Sequence, residues 1–274
     1  MALQTLPSGN KQDYPWWLLT LGVLALGLSI TIAVNNLYAQ VFETVARGIG
    51  VTIFVTVSGF ALASMLGLLI ALTGMADNIV WRQIARFYIE VIRGIPVLVL
   101  LFYIAFVGAP GFVSLYNTLT SPLVQAGWVE PLQVRDVSLM WRAIIALTIG
   151  YSAFIAEIFR AGIESIDKGQ IEAAKSLGLT RSQRFRLVVL PQAIRVIFPP
   201  LSNDFVAMVK DSSLVSVLGV ADISQAGKIY ASGSFRFFET YSIVAYIYLI
   251  LTIGLSLILR RIEKSMRARD FSNN

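Results

Sequence analysis

Apolar residues in this chain come in long runs and do not alternate with polar ones. Three stretches carry no charge at all, 14–42, 48–76 and 94–129, and a fourth, 240–259, is just long enough to cross a bilayer. Two more are apolar but interrupted. The stretch 137–158 carries Arg142 and Glu157 near its ends, and 193–220 contains Arg195, Asp204, Lys210 and Asp211. A spanning helix needs about 20 mostly apolar residues. In lipid only helices and closed barrels satisfy their own backbone, and none of these runs alternates as barrel strands do. The pattern therefore predicts an all-α polytopic membrane helix bundle. Its six spans fall near 16–36, 48–75, 84–108, 138–160, 194–220 and 240–260. The first reads as an uncleaved anchor, because its apolar core is too long for a signal peptide and has no clear small-x-small cleavage site.

Composition agrees with that reading. Hydrophobic residues make up 56% of the 274 and charged residues 14%, against roughly 25% in a soluble domain. The mean hydropathy is +0.72. Cysteine and histidine are both absent, which excludes disulfides, cysteine-held zinc or iron–sulfur sites and imidazole acid–base chemistry. No metal site, catalytic residue or cofactor is expected in the chain itself. The net charge of +6 matters through its placement. Arg160, Lys168, Lys175, Arg181, Arg184, Arg186 and Arg195 crowd one segment, and Arg260, Arg261, Lys264, Arg267 and Arg269 crowd the end. The connections near 37–47, 109–137 and 221–239 are poorer in basic residues. The positive-inside bias then places both termini and the segment 160–195 in the cytoplasm.

That basic segment has a pattern of its own. Asp167 with Gln170 starts a helix as a capping box does, and Gly178 is placed to end it in a left-handed turn. Thr180 with Gln183 starts a second helix, which Pro191 should stop or bend. The sequence reads Glu172-Ala173-Ala174, three residues, Gly178, nine residues, Val188, then Leu190-Pro191.

This spacing resembles the signature EAA loop of bacterial ABC-importer permeases, and more closely the subunits for polar amino acids of the histidine, glutamine and arginine group. The resemblance covers about 45–265. It includes Glu90-Val91-Ile92-Arg93-Gly94-Ile95-Pro96, Ala156-Glu157-Ile158-Phe159-Arg160 and Lys210-Asp211-Ser212-Ser213-Leu214-Val215-Ser216. It implies a permease domain over 45–265, with 1–44 as a cytoplasmic N-terminus plus an extra helix and 266–274 as a cytoplasmic tail. It also implies a bacterial inner-membrane protein that works as a homo- or heterodimer. Two separate ATPase subunits would bind ATP and magnesium, and a periplasmic or lipid-anchored solute-binding protein would deliver an amino acid. Glu172, Ala173, Ala174, Gly178, Leu190 and Pro191 would then form the ATPase-coupling surface. The small residues let a partner backbone approach, and the flanking charges orient it. The chain has no Walker A pattern: Gly227-Lys228 follows Asp222 where a glycine is required. No nucleic-acid partner is implied.

Ionisable groups at membrane depth usually face a cavity or a partner. Arg93 precedes a proline break and could clamp a carboxylate in two-pronged fashion, or snorkel. Glu157 is expected to pair with Arg160 or the EAA segment. Lys210 and Asp211 read either as an internal ion pair or, with Ser212 and Ser213, as a site for a zwitterion. Asp204 lies one turn after Pro199-Pro200, a second expected break. Ile95 and Leu100 stand where the family usually has threonine and glutamine, which removes hydrogen-bonding capacity near the first break. Gly111, Tyr116, Trp128 and Pro131 suggest an ordered outer cap over 109–136, or aromatic anchoring. Gly59, Ala63, Gly67 and Ala71 form a smooth stripe suited to close helix contact, including a dimer seam. Two other classes compete. An intramembrane enzyme finds only Gly150-Tyr151-Ser152-Ala153-Phe154, which lacks the second glycine of a nucleophile elbow. A stand-alone channel or carrier would have no use for an EAA loop.

Overall fold

A computed structural model describes residues 16–271, all of whose regular elements are helical. The expected cytoplasmic stretch 1–15 and the last tail residues 272–274 lie outside the described residues. Helix α1 (Trp16–Val34) ends at Asn35, whose extended backbone and side chain start α2 (Asn36–Ala46) by accepting from Leu37 N at 2.9 Å. Arg47 and Gly48 stay in helical conformation, so α2 runs on into α3 (Ile49–Gly74). Glycine is needed at 48, because a Cβ there would strike the backbone of Asp222 and Ile223.

Asn78 caps α4 (Ile79–Gly94), which ends at the predicted proline break. Ile95 is extended, at φ −100° and ψ 126°, because a following proline crowds the helical conformation. Beyond Pro96, α5 (Val97–Tyr103), a π turn (Ile104–Gly108) and α6 (Ala109–Gln125) form one apolar helix. This corrects the third span from 84–108 to Val97–Gln125. Residues 84–94 belong to α4, an amphipathic helix with Val80, Ile84, Phe87 and Val91 exposed on one face. Most of the expected cap is therefore helix, Gly111 and Tyr116 included, and only 126–138 is left to connect. A charge-free run marks where lipid is tolerated. It does not mark where the helix inside it breaks, which Pro96 decides.

Helix α7 (Leu139–Glu164) is the central element. The stripe Gly59, Ala63, Gly67 and Ala71 packs on it or its neighbours inside the chain: a Cβ on Gly67 would lie 2.9 Å from Ser152 O and 3.1 Å from Ala156 N. The stripe is spent within one chain, so it is not a free dimer seam. Near its start, buried Arg142 donates to Ala105 O at 3.1 Å, to Val137 O at 2.8 Å and to Val134 O. It thereby ties the connection 126–138 to the span beside it.

After α7 come α8 (Lys168–Ser176), α9 (Arg181–Arg184), a second π turn (Phe185–Val189) and α10 (Leu190–Asp211). Pro191 does not stop the helix. Both π turns end two residues before a proline, Pro110 and Pro191, and the preceding N–H reaches back five residues, from Ala109 to Ile104 O and from Leu190 to Phe185 O. The wider turn makes room for a ring that would otherwise collide with the carbonyl four residues back. Pro199 and Pro200 also sit inside α10 without ending it, so the second expected break is absent. Helix α10 tightens into a 3-10 segment (Ser212–Leu218) that stops at Gly219, φ +82°. Then follow α11 (Ile223–Ser234) and α12 (Phe237–Phe271), which continues through most of the expected tail. Five stretches are long and apolar enough to cross a membrane: Asn36–Gly74, Val97–Gln125, Leu139–Glu164, Arg181–Leu218 and Phe237–Met266. The apolar part of α1, Leu19–Val34, is shorter.

At the end of the bundle away from α8, a buried network joins α3, α11 and α12. Asp222 caps α11 by accepting from Gln225 N at 2.8 Å, and Tyr248 Oη donates to it at 3.1 Å. Thr52 Oγ1 accepts from Ile223 N at 3.3 Å. Burial pushes the Asp222 carboxyl above its ordinary 3.8, and the hydrogen bonds pull it partly back. The folded state thus holds that proton more tightly than the unfolded chain. Its contribution to stability is full below the ordinary value and is lost as pH rises through the raised one. Asp222→Asn keeps the cap without the charge. Between pH 4 and 7 its thermal midpoint in detergent should improve relative to wild type as pH rises. A deficit that grows with pH would mean that the hydrogen bonds outweigh burial.

Candidate functional site

The residues singled out in the sequence gather in two places. The first is the helix–turn–helix between α7 and α10. Asp167 caps α8 by accepting from Gln170 N at 3.2 Å. The Gln170 side chain does not complete the box; its Oε1 accepts from Gln192 Nε2 at 2.6 Å, which keys α8 to the start of α10. The helix closes in a Schellman turn: Gly178 N donates to Lys175 O at 3.0 Å and Leu179 N to Ala174 O at 3.2 Å. Gly178 takes φ +78°, and no atom would meet a Cβ there within 4 Å. The Thr180–Gln183 capping box forms in full. Beneath the turn, Ile166, Val189, Ala193 and Ile197 make a small core against which Ile171 packs. Ala174 faces inward, whereas Glu172, Ala173 and Gly178 are exposed. Leu190 and Pro191 begin α10. Leu177 stands 81% exposed beside Gly178. Sequence reasoning passed over it, although a large apolar residue at the turn of a charged segment was a usable signal.

The second place is a cleft of about 440 Å³ between α7 and α10, lined by Phe154, Glu157, Ala161, Val196, Pro200 and Asp204 among others. Arg93, carried by the end of α4, pairs with the lining residue Glu157 at 2.7 Å, and its guanidinium carbon lies 5.4 Å from the Phe154 ring centre. Glu157 therefore pairs with Arg93, in place of the expected Arg160 or EAA segment. The reason is geometric: α4 ends beside α7 because Pro96 stops it there. Asp204 lines the cleft, and its Oδ2 is buried without a hydrogen-bond partner.

The residues 210–213 do not converge. Successive helical residues point about 100° apart. Lys210 is exposed, while Asp211 turns toward α7 and accepts from Tyr151 Oη at 2.7 Å. Among the described residues no ion pair joins Lys210 to Asp211, so the packing-pair reading fails. Ser212 is fully buried and spends its hydroxyl on Val209 O at 2.7 Å. Ser213 is half-buried, and its carbonyl accepts from Ser216 Oγ. Tyr151 is the polar partner that the sequence could not assign, since sixty residues separate it from Asp211. Among the described residues no group of three acidic side chains could hold a metal ion.

Comparison with known proteins matches this architecture. A model of the family described as the binding-protein-dependent transport system inner membrane component matches residues 63–268. The probable amino-acid permease protein YxeN of Bacillus subtilis (strain 168) is 36% identical over 225 residues, 82% of this chain and 92% of that protein. The glutamine transport system permease protein GlnP of Escherichia coli (strain K12) is 36% identical over 221 residues, 81% and 92% of the two chains. A crystal structure of an amino acid ABC transporter with histidines aligns with a TM-score of 0.67 at 37% identity, covering 83% of this chain and 95% of that one. The chain belongs to the family of binding-protein-dependent transport system inner membrane components.

Proposed function

We propose that the chain is a permease subunit of an ATP-driven importer of polar amino acids. It works beside a second permease subunit, identical or homologous, and two ATPase subunits that bind ATP and magnesium. A periplasmic or lipid-anchored binding protein hands over the substrate on the far side. Both termini and α8 lie in the cytoplasm, where the basic residues concentrate. Glu172, Ala173, Leu177 and Gly178 offer the ATPase a low surface with one apolar knob, on a turn that Ala174, Leu190 and Pro191 hold in place. The observation that carries the reading is how this turn is anchored. Helix α8 is keyed to α10 through Gln170–Gln192 and Ile171, and α9 and α10 form one continuous helix. A push on α8 therefore travels along α10 past Asp204 to Lys210, Asp211, Ser212 and Ser213, where the helix tightens. The substrate path runs along the same face of α7 and α10, beside Arg93 and Glu157.

The test is reconstitution of the chain in liposomes with an ABC ATPase and a solute-binding protein from the same organism. Uptake of radiolabelled polar amino acids should require ATP and both partners. Uptake that persists without the ATPase would instead make the chain a channel or carrier.

A further inference from the structure

We infer that the groove bounded by α3, α10 and α12 holds an acyl chain of an anionic phospholipid, whose phosphate is received by Arg261, Lys264 and Ser265. The site lies apart from the cleft between α7 and α10 and does not depend on which substrate is carried. The groove encloses about 380 Å³ and presents almost only carbon: Ile53 and Val57 from α3, Phe205 and Val209 from α10, Leu251 and Leu255 from α12. Thr52 and Thr56 also line it but spend their hydroxyls inside the chain. Thr56 Oγ1 donates to Thr52 O at 2.8 Å, and Thr52 Oγ1 accepts from Ile223 N at 3.3 Å. Gly254 leaves one wall open, since a Cβ there would meet nothing within 4 Å. Inside a bilayer such a slot gains by close packing, and a slender apolar chain supplies the contacts its walls lack.

The end of α12 decides the class of lipid. Helical spacing puts Leu251, Leu255, Ile258 and Ser265 on one face, with Arg261 at its edge. Ile258 lines both the groove and the depression that follows it, so the two are continuous. That depression is bordered by Arg260, Arg261, Lys264 and Ser265, and no carboxylate is among its lining residues. Glu263 instead lines a small crevice against α10, with Pro199 and Asn203. Arg261 and Lys264 are exposed and, among the described residues, have no ion-pair partner. The apolar stretch of α12 ends at Leu259, so these bases stand at the level of a lipid headgroup. Carbon inside the membrane and cations at its edge, joined without a gap, match a negatively charged phospholipid end to end. The bound chain would brace α10 against α3 and α12 through Phe205 and Val209.

The experiment adds phosphatidylglycerol or phosphatidylcholine of identical acyl chains to the full chain purified in detergent, and reads the retained lipid by native mass spectrometry. Wild type should prefer phosphatidylglycerol roughly thirtyfold, with about 1 kcal/mol from each of Arg261 and Lys264. Arg261→Gln combined with Lys264→Gln should erase that preference. Gly254→Leu fills the slot without touching a charge, and should lower retention of both lipids roughly tenfold, as about 1.4 kcal/mol of lost packing gives. Glycerol phosphate, which carries the anion without a chain, should not compete. Equal retention of the two lipids by wild type, undiminished retention by Gly254→Leu, or displacement by glycerol phosphate would each overturn the assignment. So would a Gly254→Leu chain that keeps its lipid but no longer associates with a second copy, which would make the groove a subunit seam. The charge variant alters only exposed side chains, so it decides the matter even where Gly254→Leu does not fold.

Discussion

Gly178→Arg should leave the protein in the membrane and uncouple it from its ATPase. Residue 178 sits at φ +78°, where a side chain costs about 1–2 kcal/mol of backbone strain. A Cβ there meets nothing within 4 Å, so the chain itself can accommodate the new side chain. The damage falls on the outside, where a long cation would stand on the surface that a partner backbone must approach. Copurification with the ATPase, or substrate-stimulated ATP hydrolysis, should drop by tenfold or more. Gly178→Ala separates the two effects. It brings the strain with almost no bulk, and should lower the thermal midpoint by a few degrees while coupling largely survives. Normal uptake by Gly178→Arg would show that this turn does not meet the ATPase.

The pair Arg93–Glu157 should give the largest stability effects inside the bundle, and the two single changes should differ. Arg93→Met takes away the partner that Glu157 has at 2.7 Å and leaves it in the cleft that Asp204 also lines. Glu157→Gln leaves Arg93 over the Phe154 ring, which retains about 0.5–1 kcal/mol of attraction. Breaking a fully buried pair costs about 3–5 kcal/mol. These side chains are 40% and 32% exposed, so about 1–3 kcal/mol is expected, with Arg93→Met the worse. Replacing both by methionine should recover most of the lost midpoint in detergent, because neither member of the pair then stands without its partner. Strictly additive losses across the double-mutant cycle would mean that the contact contributes nothing.

Much of this protein was legible because it is local. The caps at Asp167 and Thr180, the left-handed Gly178 and the break at Ile95–Pro96 depend on backbone groups a few residues apart, and each stands where the sequence put it. The apolar runs were equally readable, since the length needed to cross lipid is a property of one segment. Proline misled at Pro199-Pro200, which lie inside α10 without ending it, whereas at Pro191, where a stop or a bend was expected, a π turn precedes the ring and the helix continues.

What the sequence could not supply were the partners. Lys210 and Asp211 are covalent neighbours, and for that reason their side chains leave the helix in different directions. Arg93 meets Glu157, Tyr151 meets Asp211, and the stripe from Gly59 to Ala71 finds α7, all across more than fifty residues of chain. Segment type was set by the sequence itself, because backbone geometry and hydrophobic length are fixed by adjacent residues. Which charge faces which, and what cleft lies between them, was decided only by the tertiary structure, because the angles at which rigid helices pack set every long-range contact at once.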